Sequence, residues 1–82
     1  PFMVRSESMN SLEKINLLIE IEERGNLARI ATVHGKIWLC KLLGFAEDEA
    51  DWAYDVKVLN DPTRDHVILE GNFIESIEEV PA

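Results

Sequence analysis

Hydrophobic and polar residues alternate along the C-terminal stretch of the chain, residues 66–80. Its apolar positions are Val67, Leu69, Phe73 or Ile74, Ile77 and Val80. Apolar residues at this spacing are typical of short strands with one buried face. Gly71 and Asn72 lie in the middle of the stretch and tolerate a positive φ, so the pattern predicts a hairpin with a two-residue turn.

Two strands are predicted further upstream, at residues 27–33 and 36–45. His34 and Gly35 lie between them and have the composition of a tight turn. The second strand is unusually long, and Gly44 near its end is expected to bend it. These residues therefore predict an antiparallel pair.

The clearest strand pattern covers residues 52–59. Its large apolar residues are Trp52, Tyr54, Val56 and Val58, and they alternate with Ala53, Asp55 and Lys57. The acidic segment 46–51 cannot bury itself and is predicted to form a solvated loop. It lacks the alternating ligands and closing glutamate of a calcium loop, so calcium binding is not expected. Residues 60–65 have the Asn, Asp and Pro content of a surface loop.

The stretch before the first strand allows two interpretations. Asn10 can cap a helix, Glu13 three residues later completes a capping box, and Gly25 is a suitable stop. Leu12, Ile15, Leu18 and Ile19 then share one face of the helix. The alternative is a strand within residues 11–21, with Ile15, Leu17, Ile19 and Ile21 alternating with polar residues and Leu18. We favour a helix over residues 11–19.

One short helix followed by five strands predicts a mainly β fold. A flat sheet of this size would leave one apolar face in water, so we expect a small, strongly bent antiparallel barrel or half-open roll. The chain has 82 residues, which is enough for one domain. We place that domain at residues 10–82 and interpret residues 1–9 as an N-terminal tail that derives in part from cloning.

Charge and cysteine content narrow the expected partners and compartment. Sixteen acidic and eight basic residues give a net charge of −8, which opposes nonspecific attraction to nucleic acid or anionic lipid. Cys40 is the only cysteine, so no internal disulfide is expected and a cytoplasmic protein is favoured. No stretch is long and apolar enough for a membrane helix, and no membrane partner is expected.

The order of elements and two short motifs resemble the Sm-like family, whose members have an N-terminal helix and five bent strands. Leu69-Glu70-Gly71-Asn72 is similar to the second Sm motif, an apolar residue followed by Arg-Gly-Asn or Arg-Gly-Asp. Residues 33–36 and 42–45 are similar to the first motif, in which a turn glycine leads into a long bent strand. The chain departs from the family at Cys40, Ala46 and Glu70, where the family has Gly, Asp and Arg.

The resemblance implies RNA contacts in the loops that line the pore of a ring. The corresponding candidates for RNA or partner binding are Phe45, Glu70, Gly71 and Asn72. Glu70 and the acidic loop before Trp52 repel phosphate, so RNA is disfavoured as a partner. Any RNA affinity has to come from basic residues, namely Arg29, Lys36, Lys41, Lys57 and Arg64.

The resemblance also implies self-assembly, because family members pair the fourth strand of one subunit with the fifth strand of the next. The interface candidates are Trp38, His66, Ile68 and Ile74. Trp38 is included because its parity, opposite to that of its apolar neighbours, predicts exposure. We therefore expect a homo-oligomer, with a further protein partner.

No group of residues in the sequence suffices for a reaction. His34 and His66 are far apart and lack metal-ligand spacing, so we interpret them as solvated and expect no metal and no cofactor. Cys40 lies in an apolar run and is interpreted as a core residue. Neither a paired acid and base nor an activated nucleophile can be named, so an enzyme is not expected.

The sequence favours a noncatalytic Sm-like subunit that forms an oligomer or ring and acts as a scaffold or RNA-associated module. The alternative is an acidic protein-binding or inhibitor domain. Such a domain would mimic nucleic acid by presenting the carboxylates of residues 47–51 to a basic partner.

Overall fold

A computed structural model describes residues 10–47 and 52–82 of the chain. The elements are α1 (Ser11–Glu23), β1 (Leu27–Thr32), β2 (Ile37–Glu47), β3 (Trp52–Val58), β4 (His66–Glu70) and β5 (Ile74–Val80), with a 3₁₀ turn at Gly71–Phe73. The predicted tail, residues 1–9, and residues 48–51 of the predicted acidic loop lie outside the described residues. The loop begins later than predicted, because β2 continues through Ala46 and Glu47, which are in register with the start of β3.

The N-terminal segment is a helix, and the strand alternative is wrong. The Asn10 side chain accepts a hydrogen bond from the Glu13 N–H at 2.9 Å, and the Glu13 carboxylate accepts one from the Asn10 N–H at 3.0 Å. This is the predicted capping box. The helix runs to Glu23, beyond the predicted end, and Gly25 follows it with φ of 72°. The added turn buries Ile21 in the core beside Leu18.

The five strands form one antiparallel sheet in the order β4-β3-β2-β1-β5. The predicted hairpin between the last two strands is therefore wrong: β4 pairs with β3, and β5 pairs with β1. Neither Gly71 nor Asn72 has the positive φ that the predicted turn requires. The 3₁₀ turn instead carries the chain to the opposite edge of the sheet, where the Phe73 carbonyl accepts a hydrogen bond from the Val33 N–H at 2.9 Å.

The fold is confirmed as mainly β, but the sheet is not closed, because β4 and β5 do not pair with each other. The register of β2 against β3 shifts between Leu42 and Gly44, and Gly44 has φ of 158°. The irregularity lies at the glycine that the sequence predicts as a bend.

The core contains the predicted apolar face of β3 together with one side of α1. Its buried members are Leu18, Ile21, Ala28, Ile30, Cys40, Leu42, Trp52, Tyr54, Val56, Val58, Leu69, Ile74 and Ile77. The Tyr54 hydroxyl donates a hydrogen bond to the Glu22 carboxylate and so ties β3 to the helix. Burial, and then Glu22, raise the pKa of Tyr54 well above its ordinary value. Among the described residues, no helix has the length and apolar content needed to span a membrane.

Glu79 on β5 holds the C-terminal end of α1 against the sheet. Its carboxylate accepts hydrogen bonds from Arg24 Nε at 2.8 Å, Arg24 Nη2 at 2.6 Å and Asn26 Nδ2 at 2.7 Å. These donors, with Arg24 first, lower the pKa of Glu79 from 4.5 to about 2. The contact therefore requires an ionised carboxylate.

We expect acid to weaken the fold through Glu79. Because its pKa in the folded protein, about 2, lies below the ordinary 4.5, its contribution to stability is complete above pH 4.5. That contribution is lost as the pH falls towards 2. Urea unfolding of the wild type and of Glu79→Gln across this interval checks the expectation. The free energy of unfolding should fall more steeply for the wild type, and equal pH dependence in the two proteins would contradict the assignment.

Candidate functional site

A groove of about 290 Å³ opens between the β1–β2 turn, the β3–β4 loop, strand β4 and the 3₁₀ turn. Its lining is Thr32, His34, Lys36, Trp38, Arg64, Val67, Ile68, Leu69 and Phe73. These segments are far apart in the sequence and are brought together only by the tertiary fold. It combines an apolar floor with polar and cationic side chains, which is the composition of many ligand-binding clefts.

Two basic side chains converge on this groove beside Trp38. Lys36 precedes β2, and Arg64 precedes β4 with its Cζ 5.9 Å from the centroid of the Trp38 ring. The Asp61 carboxylate is the counter-charge in this region, and its pKa is lowered chiefly by hydrogen bonds from Thr63. Smaller lowerings of this pKa come from a hydrogen bond donated by the Trp38 side chain and then from the charge of Lys36. Two cations and one aromatic ring therefore lie at the groove, close to a carboxylate that accepts hydrogen bonds from Thr63.

The other basic candidates named from the sequence lie elsewhere. They are Arg29, 2.6 Å from Glu78, Lys57, 4.0 Å from Asp65, and Lys41, which borders a second cavity of about 320 Å³. In the part of the chain that the structure describes, neither Lys36 nor Arg64 forms an ion pair. Lys41 likewise forms no ion pair among the described residues, but Lys36 and Arg64 are the two cations that line the groove.

Aromatic side chains line the same groove. Trp38 is half-buried rather than fully exposed, with one part packed against the core. The His34 and Phe73 rings also line the groove, 5.5 Å apart between centroids and tilted by 57°. Aromatic faces and positive charge thus occur together here, whereas the exposed side chains of β5 are glutamates.

The residues suggested by the Sm resemblance do not line the groove but meet where β2 and β3 adjoin the end of β4. Phe45 is in register with Tyr54, and Glu70 is in register with Ala53. Phe45 and Asn72 are exposed, whereas Gly71 is buried beneath the Trp52 indole ring. The predicted set is thus brought to this region of the sheet, with Glu70 rather than a cation between Phe45 and the 3₁₀ turn.

Only some of the predicted interface residues are exposed at the surface. Ile68 on β4 is 60% exposed, and His66 on the same strand is exposed with its Nε2 3.1 Å from Asp55 Oδ1. Ile74, by contrast, is 1% exposed and belongs to the core, because Thr32 of β1 pairs with it at the start of β5. Its side chain is not available to a partner. Trp38 and Ile68 both line the groove.

Cys40 is buried, as the sequence predicts, and burial raises the pKa of its thiol to about 12. A thiol with this pKa is not a nucleophile at neutral pH. Within residues 10–47 and 52–82, no group of His, Cys, Asp and Glu side chains is arranged to hold a metal ion.

The chain matches no protein-family model, no curated protein and no solved structure. The fold alone defines its class: a small mainly β domain of five antiparallel strands in one sheet, with one short helix at the N-terminal side.

The sequence indicates Lys36 and Arg64 only as two of five basic candidates and Trp38 only as an interface candidate, and it does not place the three together. His34 is predicted as a solvated turn residue, and Phe73 as part of the strand alternation. The signal in the sequence is the closeness of Lys36 and Trp38 at the start of β2. That signal is weak, because nothing in the sequence indicates that the β3–β4 loop lies against the β1–β2 turn.

Proposed function

We propose that this chain is a noncatalytic, Sm-like subunit that assembles with copies of itself through strands β4 and β5 and serves as a scaffold or RNA-associated binding module. The observation that carries the proposal is the open sheet, in which β4 and β5 are the two edges and lie at opposite ends of the strand order. We further propose that the bent sheet is a half-open barrel of the Sm-like kind, in a cytoplasmic protein.

An edge strand carries backbone donors and acceptors that can pair with another chain. Soluble proteins usually protect such edges with proline, lysine, bulges or a covering segment. Strand β4 contains neither proline nor lysine, and Ile68 at its centre is 60% exposed. These features favour a partner strand along β4.

The charges on the two edges favour unlike pairing. Strand β5 contains three glutamates, Glu75, Glu78 and Glu79. Pairing β5 with β5 of another copy would bring like charges together, which is unfavourable. Pairing β4 with β5 avoids this repulsion and is head-to-tail, so repetition produces a ring or an open chain of subunits.

The solution mass of the protein tests self-assembly. We expect light scattering coupled to size exclusion to give a mass of several chains at micromolar concentration. Ile68→Asp should shift the protein to the monomer, because a carboxylate would be buried beside the glutamates of the incoming strand.

Ile37→Asp is the matched control, since Ile37 is 59% exposed but lies on the interior strand β2. It introduces the same charge on a similarly exposed isoleucine and should leave the mass unchanged. A monomeric wild type, or equal loss of mass in both variants, would contradict edge-strand assembly. A wild-type monomer would favour the acidic protein-binding alternative instead.

A further inference from the structure

We propose that the groove beside β4 binds a nucleotide unit, with its base against the Trp38 ring and its phosphate between Lys36 and Arg64. This deepens the RNA-associated role in the proposed function and rests on that role, but not on self-assembly. The shared ligand chemistry is an aromatic base joined to a phosphate, either free or as part of a single strand.

The charge distribution is the first argument. The chain carries a net charge of −8, so an anion is repelled from most of its surface. Lys36 and Arg64 nevertheless share one groove, and neither forms an ion pair among the described residues. Because both cations border a concave apolar surface, a phosphate there would meet less screening than on an open face.

The aromatic lining is the second argument. Trp38 is half-buried and packs against the core, and the Cζ of Arg64 lies 5.9 Å from the ring centroid. Bases stack on such rings with little dependence on sequence. The Phe73 and His34 rings add further aromatic surface to the lining of the groove.

The size of the groove is the third argument. Its volume of about 290 Å³ lies at the lower end of the range for small-molecule sites, which suits one base with its sugar rather than a folded nucleic acid. Asp61 is the feature that opposes an anion here. It is held by the Thr63 N–H at 3.0 Å and the Thr63 hydroxyl at 2.7 Å, so it stays near the groove and partly offsets Lys36.

The chain contains two tryptophans, and only Trp38 lines the groove, so Trp52 is an internal reference. The test is a titration of the full chain, followed by the two indole N–H signals in nitrogen-proton correlation spectra. The ligands are single-stranded oligo(U) and oligo(A), the monophosphates UMP and AMP, and an abasic oligonucleotide. We expect the Trp38 signal to shift with the oligonucleotides and monophosphates, and the Trp52 signal to stay in place.

Substitutions in the groove should change the affinity for oligonucleotides by predictable amounts. Trp38→Leu should weaken oligonucleotide binding by roughly tenfold or more, because it removes the stacking surface. Lys36→Gln should weaken binding and reduce the slope of log affinity against log salt by about 0.7, the loss of one phosphate contact. Asp61→Asn should strengthen binding, since the amide oxygen still accepts from Thr63 while the opposing charge is lost.

Lys57→Gln is the matched control for charge. Lys57 lies on β3, outside the groove lining, and its removal changes the net charge by the same amount as Lys36→Gln. It should leave affinity almost unchanged. Thermal unfolding of each variant separates loss of binding from loss of fold, and Lys36→Gln keeps the test decisive if Trp38→Leu is unstable, because Lys36 is exposed.

Several results would overturn the proposal. The first is that neither the monophosphates at about 1 mM nor the two oligonucleotides bind. The second is that the abasic strand binds as tightly as oligo(U), and the third is that the Lys36 and Lys57 variants bind with equal affinity. Binding of an acidic peptide in place of the oligonucleotides would also overturn it. Tighter binding of the oligonucleotide than of the monophosphate identifies a strand as the ligand, and equal binding identifies a free nucleotide; both support the site.

The solution mass of the same samples separates this proposal from self-assembly. A monomer that binds oligonucleotides through Trp38 would contradict self-assembly and support the nucleotide site. An oligomer that binds no nucleotide would support self-assembly and contradict the nucleotide site.

Discussion

Replacing Leu18 with alanine should lower the free energy of unfolding by about 2–5 kcal/mol, the largest effect that we expect from a single truncation. Leu18 is fully buried, and with Ile21 it forms the part of α1 that enters the core between the helix and the sheet. Truncation there loses transfer free energy and leaves a cavity. A domain of this length has roughly 4–12 kcal/mol of stability in total, so the variant would be close to unfolding at room temperature.

Leu12→Ala is the matched control for Leu18→Ala. Leu12 lies on the same helix but is 65% exposed, so the same chemical change should alter stability by no more than about 0.5 kcal/mol. Urea denaturation followed by circular dichroism measures both values. Similar values for the two variants would mean that α1 does not pack on the sheet through Leu18.

Replacing Gly71 with alanine is the second substitution with a large expected effect. Gly71 does not need glycine for its φ, but a Cβ there would overlap the indole ring of Trp52. Trp52 is 9% exposed and part of the core, so it has little room to move. We expect a loss of about 1–3 kcal/mol from overpacking, measured by urea denaturation.

Two further variants isolate this overlap. Asn72→Ala changes the next, exposed residue of the same 3₁₀ turn and should have little effect. Trp52→Leu is itself destabilising, but Gly71→Ala should cost less in that background than in the wild type, because the ring is gone. Additive effects of the two substitutions would show that the ring is not the cause.

Gly71 does not have the turn role that the sequence Gly71-Asn72 predicts. A glycine followed by asparagine between two alternating stretches is a strong hairpin signal. In the structure the missing Cβ of this glycine leaves room for the Trp52 ring, and the chain after it crosses to the other edge of the sheet. As a result β4 and β5 are the two edge strands of the sheet rather than a paired hairpin.

The sequence by itself determined the features that depend on near neighbours. The helix start at Asn10, the turn at Gly35 and the alternation of β3 were all predictable, since capping, φ preference and strand period act over a few residues. The buried state of Cys40 followed from its apolar surroundings in the same way. The class of the fold, mainly β with one short helix, follows from the count and spacing of these elements.

Only the tertiary structure decided which strands pair and which side chains meet. The partner of β5 is chosen by long-range packing, such as Ile74 entering the core beside β1, and local turn propensity is too weak to compete with it. The same applies to the groove, where Lys36, Trp38 and Arg64 come together from separate segments. Charge and aromatic content were visible in the sequence, but their convergence depends on contacts between residues far apart in the chain.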